Sequence, residues 1–257
     1  MPGRVVASCG ACYLPEILVL PESADLLTQP SEPRDFVEWR RGRTRYAVWA
    51  LDVDVPAVRQ RVAAACAPVA DQLLPGYGRQ PHLTVHLCGF PKAEADFADD
   101  YGVDRLAAEV AALRRARPAA FAIEIGAPAS FASAAYLAVR DPAGGIASLR
   151  RSLDSAAGEA DFSYTPHITI GLYRGAFPLA ATVDRLAQGK IEPSCTLTVG
   201  RLALMSYAAA VIGGPLATVA EFDFASGELL VRDARQMREF FGEHWPARLA
   251  AGKCVDE

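Results

Sequence analysis

One five-residue stretch occurs twice in this chain and constrains its fold more than any other feature. Pro81-His82-Leu83-Thr84-Val85 returns as Pro166-His167-Ile168-Thr169-Ile170, with the two histidines 85 positions apart. Each copy alternates polar and aliphatic residues, the pattern of a half-buried β-strand. Side chains two apart on a strand share a face, so each histidine points the same way as its threonine. The aliphatic residues between them then point into a core. The separation is far longer than a local repeat needs, so the chain is expected to build two comparable units, one around each strand.

The remaining segments supply those units. Residues 46–53 are rich in β-formers, and Pro56 suits the first turn of a helix. That helix carries Val58, Val62, Ala65, Cys66, Val69 and Leu73 at helical spacing, and Pro68 should kink or split it. The first histidine strand is expected over about residues 79–90, then an acidic, loop-like segment over 92–102. A second amphipathic helix is predicted over 103–117, strands over 121–125 and 134–139, and a helix over 146–157. The second histidine strand spans 164–173, followed by a helix over 179–187, strands over 195–207 and 216–224, and a helix around 232–241.

Each half therefore mixes strands and helices around one histidine motif. That order predicts an α+β protein of two pseudo-symmetric lobes, with antiparallel sheets facing each other and helices outside. Residues 1–43 read as an N-terminal arm, 44–226 as the bilobal domain and 227–257 as a C-terminal helical tail. The cluster Arg40, Arg41, Arg43 and Arg45 closes the arm. Such charge runs usually face solvent; approach to a phosphate backbone is the sharper alternative.

Composition sets outer limits. A chain of 257 residues, 51% hydrophobic and 22% charged, has material for a sizeable core and is of ordinary globular type. Its net charge of −4 argues against a broadly basic nucleic-acid clamp and favours a local pocket for a small or end-on nucleotide. No apolar run reaches membrane-spanning length and the N-terminus lacks a signal-peptide core, so a cytoplasmic protein with no membrane contact is expected. The six cysteines are scattered, and only Cys9 and Cys12 have pair spacing, with no second pair to complete a zinc site. No metal and no cofactor are expected, and the protein is expected to be a monomer.

Histidine is the side chain best suited to move a proton near neutral pH, and two facing one groove can serve as base and acid. A threonine hydroxyl two residues along each strand can donate to a phosphoryl oxygen. Phosphodiester cleavage needs that set: a nucleophile activated, a leaving oxygen protonated and charge on the remaining oxygens stabilised. His82 and His167 are thus the candidate catalytic pair, with Thr84 and Thr169 as phosphate ligands. His86, four residues after His82, reads either as a lesser groove residue or as a satisfied core group. Tyr207 and Ser206, late on a strand, are candidate ligand contacts. His244 reads as bland.

With these residues the sequence resembles the two-histidine (2H) phosphoesterase superfamily, in particular the LigT-type or 2′-5′ RNA ligase family. Both His-aliphatic-Thr-aliphatic motifs match, and the resemblance spans about residues 44–226. It implies the bilobal 2H phosphoesterase fold and a metal-independent phosphodiesterase acting on 2′,3′-cyclic phosphate ends of RNA or on small cyclic nucleotides. Joining or cleaving 2′-5′ RNA linkages is the alternative within the family, and a nucleotide- or RNA-binding module without turnover is the alternative outside catalysis. The resemblance also implies that one histidine activates water and the other protonates the departing ribose oxygen, with His167 assigned as base and His82 as acid. Relatives often carry an arginine shortly after the second motif; here Gly171-Leu172-Tyr173 precedes Arg174. Phe131 is the nearest match to an aromatic residue that stacks the base in relatives.

Overall fold

Two curled sheets, with helices on their outer faces, form the fold of this computed structural model, which describes residues 26–157, 164–189 and 195–251. The Cys9–Cys12 pair lies outside the described residues. The chain runs through α1 (Pro33–Arg40), β1 (Arg45–Asp52), α2 (Pro56–Cys66) and a 3-10 segment (Ala67–Gln72) into β2 (His82–Pro91). Then come β3 (Asp100–Tyr101), α3 (Val103–Ala116), β4 (Phe121–Ser130), β5 (Ala134–Arg140), α4 (Gly145–Ala157) and β6 (His167–Leu172). The last part is α5 (Leu179–Ala187), β7 (Cys195–Val199), β8 (Arg201–Ala208), β9 (Ala217–Asp223), β10 (Glu228–Val231), α6 (Ala234–Phe241) and α7 (Trp245–Ala251). No helix among the described residues is long and apolar enough to cross a membrane.

Local chemistry accounts for the main boundaries. Pro68 falls in the first turn of the 3-10 segment, where its missing N–H ends α2 as the sequence predicts. Asp141 caps α4, its carboxylate accepting from the N–H groups of Gly145 at 2.9 Å and Ile146 at 2.8 Å. Gly89, with φ +117°, is where β2 approaches the strand beside it; a Cβ there would lie 2.3 Å from the Asp99 carbonyl oxygen.

The sheets are not built from successive halves of the chain. The first has the order β10-β9-β8-β1-β2-β3 and the second β6-β5-β4-β7. The first half of the chain sends β4 into the second sheet, and the second half returns β8, β9 and β10 to the first. The single strand expected over 195–207 is broken at Gly200: Val199 pairs with Phe121 of β4, while Arg201 onward joins β8 to β1 and β9. The antiparallel expectation also fails at one place, since the short β3 pairs parallel with the end of β2.

The helices cross between sheets as well. α2, which connects β1 to β2, packs against β6, and α4, which connects β5 to β6, packs against β2. Each helix leading to a histidine strand therefore rests on the opposite sheet. One continuous core results, joining Trp49, Leu83 and Val85 of the first sheet to Ile123, Leu137 and Ile168 of the second.

The described parts of both expected appendages pack on this core. Backbone bonds tie Thr28 to Phe177, Gln29 to Ala132 and Ser31 to Tyr173. α1 then lays Trp39 on Tyr46 and Phe90, on the inner face of the first sheet. Two arginines of the cluster, Arg43 and Arg45, are occupied by protein contacts. Arg43 bonds Asp99 at 2.6 Å and Asp100 at 2.7 Å and lies 3.5 Å over the Phe90 ring, while Arg45 bonds Ser206 at 3.0 Å. The boundary placed after residue 226 falls in the β9–β10 hairpin, and α6 beyond it buries Met237, Phe240 and Phe241. Phe240→Ala is expected to destabilise the whole protein by about 3–5 kcal/mol in denaturant unfolding; a local loss of α6 with an unchanged global transition would contradict this.

Candidate active site

The two histidine strands carry the same irregularity. In β2, Thr84 pairs with Ala50 and His86 with the next residue, Trp49, so Val85 is an extra residue bulged out of the ladder. In β6, Thr169 pairs with Tyr136 and Gly171 with Ala135, so Ile170 is bulged at the equivalent point. A bulge shifts the alternation by one residue, so a side chain after it points to the opposite face from the one simple period-two counting assigns. His82 and Thr84, like His167 and Thr169, stay on the inner face. His86 is turned to the outer face, and its counterpart Gly171 leaves room for Leu73. The Cα traces of β2 and β6 approach within 8 Å, bringing the two inner faces together.

Each imidazole is held by a carbonyl two residues before it. His82 Nδ1 lies 2.9 Å from the Gln80 oxygen, and His167 Nδ1 lies 2.8 Å from the Thr165 oxygen. A carbonyl can only accept, so both Nδ1 atoms carry hydrogen and, in the neutral rings, both Nε2 atoms keep a lone pair. Burial lowers the His82 pKa to about 4, opposed by the Gln80 carbonyl and reinforced by the charges of Arg79 and His167. Burial lowers His167 too, opposed by the Thr165 carbonyl. Both rings are therefore neutral at pH 7 in the empty groove.

The loops entering these strands reach across to the opposite one. The Tyr164 hydroxyl, just before β6, donates to the Thr84 carbonyl of β2, and Arg150 of α4 donates to the Val85 carbonyl at 2.6 Å. In return Tyr77, ahead of β2, comes near the Thr169 side chain of β6. Burial raises the pKa of both phenols, so they act as neutral hydroxyls. The bulged backbone of β2 is thus braced from the other lobe.

The other sequence candidates divide among the groove wall, the core and the surface. His86 is 2% exposed and belongs to a buried network on the helix side. Its Nδ1 donates to Asp154 at 3.0 Å and its Nε2 accepts from Arg105 at 3.2 Å, while Glu109, bonded by Trp49 at 2.7 Å, lies 3.8 Å away. Phe131 is buried, with one ring face stacked on Tyr136 at 3.9 Å between centroids and its edge arrangement to His167 at 5.0 Å. It packs the catalytic candidate; the half-buried ring on the inner face is Tyr136, beside Thr169 in register. Tyr207 belongs to the inner-face aromatic cluster beneath Arg79, and Ser206 bonds Arg45 and Gln236. Arg174 is exposed, its N–H bonded to the Gln72 carbonyl at 3.0 Å and its charge acting on Asp71. Sequence reasoning missed Tyr77, Arg79 and Tyr136; only the proximity of Tyr77 and Arg79 to the first motif hinted at them.

Comparison with known proteins follows from this geometry. The model of the 2′-5′ RNA ligase superfamily matches residues 54–210. No curated protein matches the sequence. Among solved structures, LigT of E. coli complexed with 3′-AMP is 19% identical, the match covering 70% of this chain and 98% of that one with a TM-score of 0.46. The apo form of the same protein is 19% identical over 71% and 98% of the two chains, with a TM-score of 0.45. A phosphoesterase is 20% identical over 63% and 88%, with a TM-score of 0.38.

Two stability measurements separate groove from core. His86→Leu removes the bonds that Asp154 and Arg105 make to the imidazole and is expected to cost about 1–3 kcal/mol while leaving turnover of the folded protein intact. Lost turnover at unchanged stability would place His86 in the groove after all. The depressed His82 pKa makes the unfolded chain bind more protons between pH 6.5 and about 4, so stability is expected to fall on acidification through that window. Substituting His82→Asn should remove about 3 kcal/mol of that fall, read from denaturant midpoints at pH 7 and 4.

Proposed function

Because the chain belongs to the 2′-5′ RNA ligase superfamily, whose model matches more than half of it, we propose that it is a metal-independent cyclic phosphodiesterase. Its substrates are 2′,3′-cyclic phosphate ends of RNA or small cyclic nucleotides. The observation that carries this reading is the pair of Nδ1–H tautomers, each fixed by its own strand entry and each leaving Nε2 to the groove. Two such nitrogens can perform both proton transfers of the hydrolysis.

In the proposed reaction, water attacks the phosphorus of the cyclic diester while one neutral imidazole takes its proton. A P–O bond to one ribose oxygen breaks, and the other histidine, entering as imidazolium, donates its Nε2 proton to that oxygen. Thr84 and Thr169 hydroxyls donate to the non-bridging oxygens, where charge accumulates. The product is a ribose phosphate monoester, and the proton balance is restored when the two histidines exchange protons with solvent.

The environments favour a division of labour opposite to the one the resemblance implies. His82, whose protonation the neighbouring Arg79 charge opposes, suits the base. His167 lacks that neighbouring cation and suits the acid. Cleavage or joining of a 2′-5′ linkage would use the same residues, and product regiochemistry distinguishes it.

His82→Ala and His167→Ala are each expected to lower kcat on 2′,3′-cyclic AMP by about 10²–10⁴-fold, with chelators leaving the wild type unchanged. Full activity of both variants, or loss to chelator, sinks the reading. Because both histidine pKa values lie below the ordinary 6.5, kcat/KM is expected to peak below pH 6.5 and decline above it. A maximum above pH 7 would contradict the assignment of these two groups.

A further inference from the structure

The groove as described has two neutral imidazoles and three neutral hydroxyls, yet a phosphodiester brings a negative charge. Hydroxyl dipoles alone stabilise that charge less well than a charge-assisted hydrogen bond would. Arg174, the arginine that follows the second motif, is spent outside: it sits by Asp71, which pairs with Arg185 at 2.5 Å. The cation has to come from another part of the chain.

The loop entering β2 supplies one. Residues 78–80 are clamped to the turn between β8 and β9 by three bonds: Gly78 N–H to the Gly213 carbonyl at 2.9 Å, Gln80 Nε2 to the Leu216 carbonyl at 2.7 Å, and Leu216 N–H to Gln80 Oε1 at 3.0 Å. Between these anchors Arg79 projects with its guanidinium carbon 4.1 Å over the Tyr207 ring and its Nε donating to the Gly214 carbonyl at 3.3 Å. The stack and the Nε bond fix the plane of the guanidinium, while its two terminal nitrogens take no carboxylate among the described residues.

Several other arginines are engaged differently. Arg43, Arg59, Arg185, Arg201, Arg232 and Arg248 each close an ion pair. Arg79 instead is braced by an aromatic ring and a carbonyl, three residues ahead of His82. A guanidinium held rigid without its own anion is preorganised to accept one from outside.

We propose that Arg79 is the anion-binding cation of the groove, its terminal nitrogens donating to a non-bridging oxygen of the substrate phosphoryl group. Tyr207, a ligand candidate by sequence, then acts beneath it as a positioning residue. The arrangement has a second consequence. In the empty groove the Arg79 charge opposes protonation of the neighbouring imidazole; a bound phosphoryl group neutralises that charge and eases proton uptake only when substrate is present. This inference rests on the phosphodiesterase reading for its catalytic part, whereas the anion site itself does not.

The test therefore has two readouts. Inorganic phosphate is titrated into the full-length protein, following the histidine ring signals by NMR. In parallel, kcat and KM are measured on 2′,3′-cyclic AMP. Arg79→Gln is expected to weaken phosphate at least about tenfold and to lower kcat/KM about 100-fold, with an unchanged melting temperature. Arg79→Lys, which keeps the charge and loses the planar fork, should recover part of both. Tyr207→Leu should weaken phosphate less than Arg79→Gln does.

Wild-type phosphate affinity in both Arg79 variants overturns the proposal, whether or not cyclic AMP is turned over. Weakened phosphate binding in a protein whose wild type fails to hydrolyse any cyclic nucleotide would uphold Arg79 and reject the phosphodiesterase reading. If Arg79→Gln does not fold, Arg79→Lys decides alone: phosphate affinity equal to wild type at every ionic strength counts against the inference, and a weaker affinity supports it.

Discussion

The groove depends on hydrogen bonds that the second lobe makes to the backbone of the first. Tyr164 and Arg150 hold the Thr84 and Val85 carbonyls of β2. These bonds fall on the β2 bulge, where the sheet ladder itself is interrupted. A buried carbonyl with no donor costs more than the net gain of an ordinary hydrogen bond, so filling those positions decides whether that bulge persists. The bulges in turn set which residues face inward. Helices α2 and α4, each seated on the opposite sheet, join the lobes with apolar surface. The two walls cannot slide apart without breaking both the polar braces and the shared core.

Holding two histidines in that position has a thermodynamic cost. Burial disfavours the charged imidazole, and the proximity of a second histidine and of Arg79 adds to it. The protein offsets this by leaving each ring one satisfied donor and one open acceptor, so neither is an orphan in the folded state. The same burial that weakens the protein in acid places both proton affinities below that of a free histidine. His86 shows the contrasting solution: a histidine also buried, but with acceptor and donor both matched inside the protein, and with carboxylates close by. Such a group can stabilise the junction of β2, α3 and α4 but has no valence left for a ligand.

Much of this was legible from periodicity. The alternation around His82 and His167 marks the strands, and the apolar stripes of α3 through α5 appear within a residue or two of their observed ends. Pro68 ended α2 for the reason its chemistry predicts. What periodicity hides is any place where the period changes. One bulged residue at Val85 sends His86 to the other face, although its spacing from His82 counts as same-face. One residue at Gly200 moves the chain between sheets within what reads as a single apolar run. The arm and tail read as appendages because their contacts are long-range: Trp39 meets Phe90, and β10 completes a sheet begun at β1. For the site, two histidines and two threonines carry a motif, whereas Arg79, Tyr77 and Tyr136 gain meaning only from what the folded chain places beside them.

The symmetry that first exposed the site is also what makes its asymmetry informative. At the 85-residue spacing of the histidines, Arg79 corresponds to Tyr164 and His86 to Gly171. Tyr164 spends its hydroxyl on the backbone of the other wall, whereas on the proposed reading Arg79, bonded through Nε to Gly214, offers its terminal nitrogens to the groove. A pair of identical walls would give both histidines the same proton affinity, and a reaction that needs one base and one acid gains nothing from that. Placing a cation next to only one of them breaks the tie before substrate arrives. On the proposed reading, an anion bound at Arg79 then reduces the difference as chemistry begins, so the groove can bias which imidazole is bare without locking either in one state. On this argument the duplicated motif supplies the reactive groups, and the unduplicated residues beside it assign their roles.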